Sequence, residues 1–191
     1  MANKLESTLP NMILSLVTIG VVMAASLGFV YIKTKGPIDE AAAKKELDAI
    51  QQVLPEFNSD PANGLIEKDG VIIYQVSKDN QPVGFAIKSY TEKGFSGHIE
   101  IMAGFLPDGK IYKVTVLEHK ETPGLGAKMT EPKFCDQFSG KNPENFVLKV
   151  KKDGGNVDAI TASTISSRAF CDALQRAFDT MKEVTDSIAD N

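Results

Sequence analysis

The chain carries one long uncharged stretch near its start, MILSLVTIGVVMAASLGFVYI at residues 12–32. As a helix with a rise of about 1.5 Å per residue, this stretch is long enough to cross the roughly 30 Å of hydrocarbon in a bilayer. A buried core helix is the alternative, but such a helix usually has a polar face, whereas this stretch has only four polar side chains. We therefore predict one membrane-spanning helix, and because a basic leader and a clear cleavage site are missing, we interpret it as an uncleaved anchor.

The rest of the chain has the composition of one globular domain. The 191 residues are 42% apolar and 24% charged, which suits a single domain of about 150 residues beside the anchor. The net charge of −4 argues against binding to the phosphate backbone of nucleic acids. Cys135 and Cys171 lie 36 residues apart, and with only two histidines they offer too few close ligands for a zinc site. The composition therefore predicts no nucleic-acid partner and no protein-bound metal.

Immediately after the anchor, the sequence predicts a separate amphipathic helix. We place the N-terminal tail and the anchor at residues 1–35 and the globular domain at residues 36–191. After Gly36-Pro37, residues 38–53 contain good helix formers, with apolar residues three and four positions apart. Pro55 is expected to end this helix, because proline lacks the backbone N–H that a helix needs.

Short β-rich runs with turn signals between them follow this helix. The runs lie at residues 71–76, 82–89, 97–105, 110–119 and 145–150. The turn signals are Asp69-Gly70, Asp79-Asn80, Pro107-Asp108-Gly109 and Asp153-Gly154-Gly155. Of these, Asp108-Gly109 between two apolar runs is typical of a β-hairpin. We therefore predict a mainly antiparallel sheet.

Helices complete the predicted domain. Residues 130–139 predict a short helix, with Phe134 and Phe138 one turn apart. Residues 166–188 place apolar side chains on one stripe and charged side chains elsewhere, which is the pattern of a long amphipathic helix. The predicted fold class is α+β: a single N-terminal transmembrane helix, followed by one domain with a mainly antiparallel sheet and a C-terminal helix packed on it.

One loop is richer in glycine and proline than a plain hairpin requires. Residues 118–128 read EHKETPGLGAK and follow a predicted strand. Pro123 fixes one backbone angle, whereas Gly124 and Gly126 are free to adopt unusual ones. Leu125 is therefore presented on a backbone that a planar ligand can approach closely. An ordinary loop with a turn is the alternative interpretation.

A second segment has more hydroxyl side chains than a helix cap requires. Residues 158–168 read DAITASTISSR and run directly into the C-terminal helix. Five hydroxyls fall within seven residues, although one is enough for an N-cap. Free N–H groups at the helix start, these hydroxyls and Arg168 in the first turn together predict an anion site for a phosphate.

Both segments resemble signatures of one known family. The run Asp158-x-x-Thr161-Ala162-Ser163-Thr164 resembles the flavinylation motif D-x-x-[ST]-[GA]-[AS]-T, in which a flavin transferase joins FMN to the last threonine through a phosphoester. The family often has Ser-Gly-Ala-Thr at the last four positions, and this chain stays within the permitted alternatives. The segment His119-x-Glu121-Thr122-Pro123-Gly124-Leu125-Gly126 is similar to a second signature of the same family, and a single membrane helix precedes both.

The chain is thereby identified as similar to the FMN-binding domain family of the Rnf complex, the ion-translocating ferredoxin:NAD oxidoreductase, and in particular to its G subunits. The related C subunits of the sodium-translocating NADH:quinone oxidoreductase are the alternative. Those C subunits tend to be longer, so the length of 191 residues favours the first.

The resemblance implies a membrane-anchored electron-transfer subunit with no turnover of its own. It implies FMN bound covalently to Thr164, with the ring near the glycine-rich loop. Other cofactor-binding residues implied by the motifs are Asp158, Thr161, Ala162, Ser163, Glu121, Thr122, Pro123, Gly124, Leu125 and Gly126. The implied partners are the other membrane subunits of the Rnf complex, a flavin transferase and the membrane itself. The protein supplies position and electrostatics, and the flavin supplies the chemistry.

Two arguments about orientation conflict. Lys4 precedes the anchor, whereas Lys33, Lys35, Lys44 and Lys45 follow it, which favours a cytoplasmic domain. The resemblance instead implies a domain on the periplasmic side of a bacterial inner membrane. We give the resemblance more weight, because partner subunits or the translocation of a long domain can override a few lysines.

In that compartment Cys135 and Cys171 can form a disulfide, and two buried free thiols are the equally weighted alternative. Two other function classes also stay open at this stage. A non-redox anchored binding or assembly module would be colourless after denaturation, whereas a flavin carrier would be yellow. An anchored hydrolase would use Ser163 or Ser166 as its nucleophile and His119 as its base.

Overall fold

The structure, a computed structural model, describes residues 8–79 and 81–189 and contains two compact units, Met1–Lys45 and Glu46–Asn191. Within the described residues, one helix is long and apolar enough to cross a membrane, α1 (Leu9–Val53). The anchor predicted at residues 12–32 lies inside α1. Residues 1–7 of the predicted tail, including Lys4, lie outside the described residues.

The predicted break in the helix at Gly36-Pro37 is wrong, because α1 continues through Pro37. A proline inside a helix removes one hydrogen bond and crowds the preceding turn, at a cost of about 3 kcal/mol. The turns on either side keep their own bonds, and the three alanines at residues 41–43 are strong helix formers. The helix ends at Val53, two residues before the predicted stop at Pro55.

A five-stranded antiparallel sheet with the order β1-β2-β3-β4-β5 follows within the described part of the chain. The strands are β1 (Leu65–Lys68), β2 (Val71–Lys78), β3 (Gln81–Gly94), β4 (Gly97–Phe105) and β5 (Ile111–His119). The predicted turn at Asp108-Gly109 joins β4 to β5, as expected. The prediction missed β1, since four residues are too few to show a period of two.

The prediction of a strand at residues 145–150 is wrong. In its place Val150 makes one isolated bridge with Val157, and Lys151–Asp153 form a turn of 3₁₀-helix. The Asn156 side chain accepts the Val147 N–H at 2.7 Å, so a local side-chain contact replaces a sheet ladder. Asn80, in another predicted turn, lies outside the described residues.

The core lies on both faces of the sheet. One face packs against α3 (Thr164–Ala189), and the other packs against residues 49–54 at the end of α1. The short helix predicted at residues 130–139 is present as α2 (Pro132–Cys135) followed by a 3₁₀ turn, Asp136–Phe138. Its rings contact Phe170 of α3 with centroids 5.1 and 5.2 Å apart, which ties this connection to α3. The predicted α+β fold class is therefore confirmed.

Cys135 and Cys171 are free thiols in the structure, in agreement with the second of the two alternatives. The Cys135 thiol donates to the carbonyl of Met129 at 3.0 Å, and Cys171, on α3, is buried in the core. Burial raises the pKa of each thiol to about 12.

Candidate functional site

A buried carboxylate, that of Glu121, lies at the centre of the candidate site. The chain turns inward just after β5, so that Glu121 is only 5% exposed. Its Oε1 accepts the backbone N–H of Ser96, in the turn between β3 and β4, at 2.9 Å. Its Oε2 accepts the hydroxyl of Ser166, in the first turn of α3, at 2.7 Å. One side chain therefore joins a hairpin turn, the glycine-rich loop and a helix start.

The hydroxyls of Ser163 and Ser166 extend this contact to the N-cap of α3. Their oxygens lie 2.8 Å apart. Because Ser166 gives its single hydroxyl hydrogen to Glu121, Ser163 is the donor in the bond between the two serines. Ser167 is also buried, and its hydroxyl donates to the Ser163 carbonyl and accepts the N–H of Ile160. Three of the five clustered hydroxyls therefore hold the segment in place.

The helix start is left with unpaired donors. Among the described residues, no acceptor bonds the backbone N–H groups of Thr164, Ile165 and Ser166, since Ser163 directs its hydroxyl to the side chain of Ser166. The hydroxyl of Thr164 is partly exposed and likewise has no hydrogen bond within the described part of the chain. Free N–H groups at the positive end of a helix favour an anion. A phosphate on Thr164 fits these donors.

Thr161 and Ala162 are exposed on a turn just before α3. Ala162 has a φ of 61°, a left-handed conformation that costs a non-glycine residue about 1–2 kcal/mol. This turn redirects the chain from Ile160 into the N-cap at Ser163. The flavinylation motif permits glycine at the position of Ala162, and glycine adopts this conformation without strain.

Asp158, the first residue of the motif, and Arg168, in the first turns of α3, each form an ion pair with another side chain. Asp158 is exposed and forms an ion pair with Lys151 at 2.7 Å. Arg168, predicted to hold a phosphate, instead makes two hydrogen bonds to Asp153 at 2.6 and 2.7 Å. The bonds from Arg168 lower the pKa of the Asp153 carboxyl. The prediction that Arg168 holds a phosphate is wrong, because the guanidinium group of Arg168 already makes two parallel hydrogen bonds to the Asp153 carboxylate.

The glycine-rich loop is mostly exposed, with one buried point of close approach. Thr122, Pro123, Gly124 and Leu125 face solvent, and Gly124 has a φ of 78°. Gly126 is buried, and a Cβ there would lie 2.3 Å from Glu121 Oε2 and 2.6 Å from Ser166 Oγ. Only glycine therefore lets the loop pass this close to the carboxylate.

The structure thus brings Glu121, Gly126 and Ser163 together, places Thr164 at the adjoining helix start, and leaves Asp158 paired elsewhere. It does not support the hydrolase alternative. The Nδ1 atom of His119 accepts the N–H of Glu121 and contacts neither serine. A nucleophile needs a base within hydrogen-bond distance.

A cavity of about 410 Å³ is lined in part by residues 158–161, just before the N-cap of α3. Its wall combines apolar side chains with both signs of charge: Phe134 and Ile160, Lys128 and Lys133, and Glu131 and Asp158. Thr161 also lines it, whereas neither Thr164 nor Glu121 does. This cavity is therefore separate from the carboxylate centre.

Sequence reasoning missed three contributors to the site. Ser96 bonds Glu121 through its backbone, which no side-chain pattern reveals. Phe95 and Ile165 are exposed apolar residues, at 69% and 47% exposure, that directly precede Ser96 and Ser166 in the sequence. The available signal for Phe95 was a large aromatic residue in a tight turn between Gly94 and Gly97.

Comparison with known proteins adds to this geometry. Residues 94–179 match the family model described as FMN-binding domain. The chain is 35% identical over 176 residues to the G subunit of the ion-translocating oxidoreductase complex of Methanosarcina acetivorans, with 88% of this chain and 92% of that protein covered. It is 33% identical to the G subunit of the Na(+)-translocating ferredoxin:NAD(+) oxidoreductase complex of Acetobacterium woodii, with 82% and 83% covered. A solved structure, that of the C subunit of the Na(+)-translocating NADH-quinone reductase of Parabacteroides distasonis, is 24% identical with a TM-score of 0.48, covering 66% of this chain and 75% of that one.

Proposed function

Because this chain belongs to the family of G subunits of ion-translocating oxidoreductase complexes, we propose that it is a membrane-anchored electron-transfer subunit that carries FMN covalently on Thr164. The chain has an FMN-binding domain at residues 94–179, and the whole carboxylate centre described above falls within it. When bound, FMN supplies the electron-transfer chemistry.

The observation that carries the proposal is the state of Thr164 at the start of α3. Its hydroxyl has no partner among the described residues, and three backbone N–H groups beside it are free. A phosphodiester on this oxygen keeps one negative charge, which these donors and the helix dipole stabilise by about 0.3–1 kcal/mol or more when partly buried. Thr161, the other exposed hydroxyl of the motif, lies on a turn outside the helix and lacks these donors.

Attachment is a transfer from a flavin dinucleotide by a flavin transferase. The Thr164 Oγ–phosphorus bond forms, and the phosphoanhydride bond of the dinucleotide breaks. The nucleotide half leaves with the bonding electron pair and takes up the hydroxyl proton. This chain's part in the step is to present Thr164, and the contact from Glu121 through Ser166 to Ser163 fixes the backbone that does so.

The remaining site residues have supporting roles in this proposal. Asp158, Thr161 and Ala162 form the exposed surface that a transferase recognises, while Ser163 caps the helix. In the second signature, Glu121 and Gly126 are positioning residues beneath the surface. Thr122, Pro123, Gly124 and Leu125 form the exposed loop that faces the cofactor.

We assign residues 1–35 to the N-terminal tail and anchor and residues 36–191 to the FMN-binding domain, with a single membrane crossing in α1. The printed names of the relatives describe subunits of larger complexes, so the partners in this proposal are other membrane subunits of such a complex. The proposal also assigns the domain to the periplasmic side of a bacterial inner membrane.

The test is the intact mass of the full-length chain, purified in detergent after co-expression with a flavin transferase and then denatured. The wild type is expected to carry one added FMN and to fluoresce in a denaturing gel. Thr164→Val, which removes the bridging oxygen at nearly constant volume, is expected to lose the added mass while keeping its circular dichroism spectrum. Thr161→Val is the matched control and is expected to keep some covalent flavin. Full FMN mass on Thr164→Val would refute the assignment.

A further inference from the structure

The β3–β4 hairpin extends past the end of its neighbour β2. The pairing of β2 with β3 stops at Lys88, so residues 89–94 of β3 pair only with β4 in the described part of the chain. The turn that follows carries Ser96, whose N–H bonds the Glu121 carboxylate. We refer to residues 89–97 as the hairpin end. Because a two-stranded hairpin is marginally stable in water, such an end needs contacts from outside the sheet.

The helix α3 supplies these contacts. The Asp172 carboxylate accepts two hydrogen bonds from the hairpin end, one from the Thr91 hydroxyl at 2.8 Å and one from the Lys93 ammonium group at 2.6 Å. The buried Ser89 hydroxyl donates to the carbonyl of Ala173, the next residue of α3, at 2.8 Å. Two of these three hydrogen bonds therefore depend on one carboxylate.

The surroundings of Asp172 make its carboxylate a strong acceptor. The side chain is 28% exposed, and burial by itself raises the pKa of its carboxyl. The hydrogen bonds from Lys93 and Thr91 lower this pKa by more, so that it lies below its ordinary value and the group is ionised near neutral pH. Hydrogen bonds to an ionised acceptor are stronger than those between neutral groups. Removal of this carboxylate would also leave the buried Thr91 hydroxyl without its acceptor.

The contacts of Asp172 and Glu121 form one closed set. Ser166 and Asp172 lie six residues apart on α3, which is about 9 Å of helix. Ser166 bonds Glu121, whose other oxygen accepts the N–H of Ser96. Ser96 is in the same hairpin end as Thr91, and Thr91 returns to α3 through its bond to Asp172. Each link therefore restrains the others, and loss of the Asp172 link leaves the hairpin end freer to move away from Glu121.

We propose that Asp172 is a positioning residue for flavin attachment. It holds the hairpin end against α3, keeps Ser96 on Glu121, and thereby fixes the helix start that presents Thr164. This inference rests on the proposed attachment of FMN to Thr164. Asp172 acts through these contacts and takes no part in the transfer itself, since it lies eight residues further along α3, or about 12 Å of helix. Group transfer is sensitive to position, and a misplacement of about 1 Å can lower its rate up to about a hundredfold.

The same helix offers two control residues. Glu183 of α3 forms an ion pair with Lys68 of β1 at 2.6 Å, the same distance as between Asp172 and Lys93. That pair also joins a strand to α3, but its bonds do not include any residue of the closed set. Met181 is buried in the core near the end of α3, so Met181→Ala lowers stability at a distance from Asp172. Glu183→Ala therefore controls for the loss of an ion pair, and Met181→Ala controls for the loss of stability.

The experiment uses the full-length chain in detergent, at a temperature at which circular dichroism shows every variant to be folded. The initial rate of FMN attachment is followed by intact mass with a flavin transferase and saturating flavin dinucleotide. Asp172→Ala is expected to lower this rate about tenfold, whereas Glu183→Ala and Met181→Ala are expected to stay within about twofold of wild type. Asp172→Asn keeps an acceptor for Thr91 but loses the charge that attracts Lys93, so an intermediate rate is expected.

Hydrogen exchange provides a second measurement that does not depend on the transferase. The Ser96 amide is observed by NMR in the chain before attachment. Asp172→Ala is expected to increase its exchange rate about tenfold, because the hairpin end opens more often, whereas Glu183→Ala is expected to leave it within about twofold of wild type.

The possible results separate this inference from the proposed function. A wild-type chain without added FMN mass contradicts the attachment to Thr164, and the inference falls with it. With the wild type loaded, an attachment rate of Asp172→Ala equal to that of Met181→Ala overturns the positioning role alone, as does unchanged exchange of the Ser96 amide. If Asp172→Ala does not fold, Asp172→Asn and Lys93→Met replace it, since the Lys93 side chain is 70% exposed and its loss is tolerated. Wild-type attachment rates in both of these variants also overturn the inference.

Discussion

The Glu121 carboxylate and the Ser166 hydroxyl, 45 residues apart in the sequence, lie 2.7 Å apart beneath the candidate site. This bond connects the end of the sheet to the first turn of α3, next to Thr164. Because both groups are buried, each depends on the other for its hydrogen bond, and the loss of either leaves an unsatisfied polar group.

Replacement of Ser166 tests this contact. Ser166→Ala removes a donor from a buried carboxylate and is expected to lower the free energy of unfolding by about 1–3 kcal/mol, measured by urea denaturation of the full-length chain in detergent. Ser139→Ala is the control, because Ser139 is exposed although its hydroxyl bonds the Tyr112 carbonyl. We expect a change of about 0.5 kcal/mol or less there. Equal costs for the two variants would contradict a special role for Ser166.

Ala162, the left-handed residue in the turn before α3, predicts a stabilising change. Ala162→Gly relieves the strain at φ 61° but increases the freedom of the unfolded chain, so a net gain of about 0.5 kcal/mol is expected. Ala159→Gly, at an exposed position outside the left-handed region, is the control and is expected to lose about 0.4–1 kcal/mol. Urea denaturation measures both. Two changes of the same sign would show that Ala162 is unstrained.

The Arg168–Asp153 pair predicts a pH dependence. Its hydrogen bonds lower the pKa of Asp153, so this carboxyl stabilises the fold above its unfolded pKa, and the contribution disappears as the pH falls through the lower folded pKa. Arg168→Gln is expected to return the pKa of Asp153 toward its ordinary value in a carboxyl NMR titration. The pKa of Asp108, which Lys110 lowers independently, should stay unchanged in that variant. An unmoved Asp153 would be inconsistent with the pair.

The two thiols are expected to be inert in the folded protein. Burial raises the pKa of Cys135 and Cys171 to about 12, so near neutral pH both are protonated, and the thiolate is the reactive form. Iodoacetamide should modify neither in the native chain and both after denaturation without reductant, as read by mass. Modification that requires a reductant would instead demonstrate a disulfide.

The side of the membrane on which the domain lies can be measured by thiol labelling, because the two thiols of the chain itself are expected to be unreactive. Lys152→Cys places a thiol on an exposed turn, where an impermeant maleimide is expected to label it in intact spheroplasts. The wild-type chain, with only its two inert thiols, is the matched control. Labelling only after the inner membrane has been broken would place the domain in the cytoplasm.

The long elements of this fold could be predicted because their patterns are local. The uncharged run at residues 12–32, the stripe in α3 and the Asp108-Gly109 hairpin each contain their own signal. The continuation of α1 through Pro37 could not be predicted, since the free-energy cost of one proline inside a helix depends on the helical turns around it. The strand predicted at residues 145–150 does not form, because the Asn156 side chain accepts the Val147 N–H that a strand would use in a sheet. The alternation of apolar and polar residues does not reveal such a hydrogen bond.

The candidate site likewise contains residues with a local sequence signal and residues whose role depends on distant contacts. Motif positions such as Thr164 and Gly126 could be identified from the sequence, because a hydroxyl before a helix and a glycine in a loop are local features. The function of Ser166 was not evident, since the carboxylate it bonds is 45 residues away. Ser96 was missed for a related reason: its backbone N–H becomes part of the site only because the β3–β4 turn meets Glu121.

The strand order has a consequence for when the protein matures. Every strand of the sheet pairs with its neighbour along the chain, so the sheet can assemble early from local hairpins. The Glu121 centre also needs Ser166 from α3, and is complete only after that helix has docked. Under the proposed function, a transferase that recognises the assembled centre acts late and passes over misfolded chains. The proposed covalent attachment would then take place only on chains that have completed folding, and the yellow colour of the flavin would measure the correctly folded fraction.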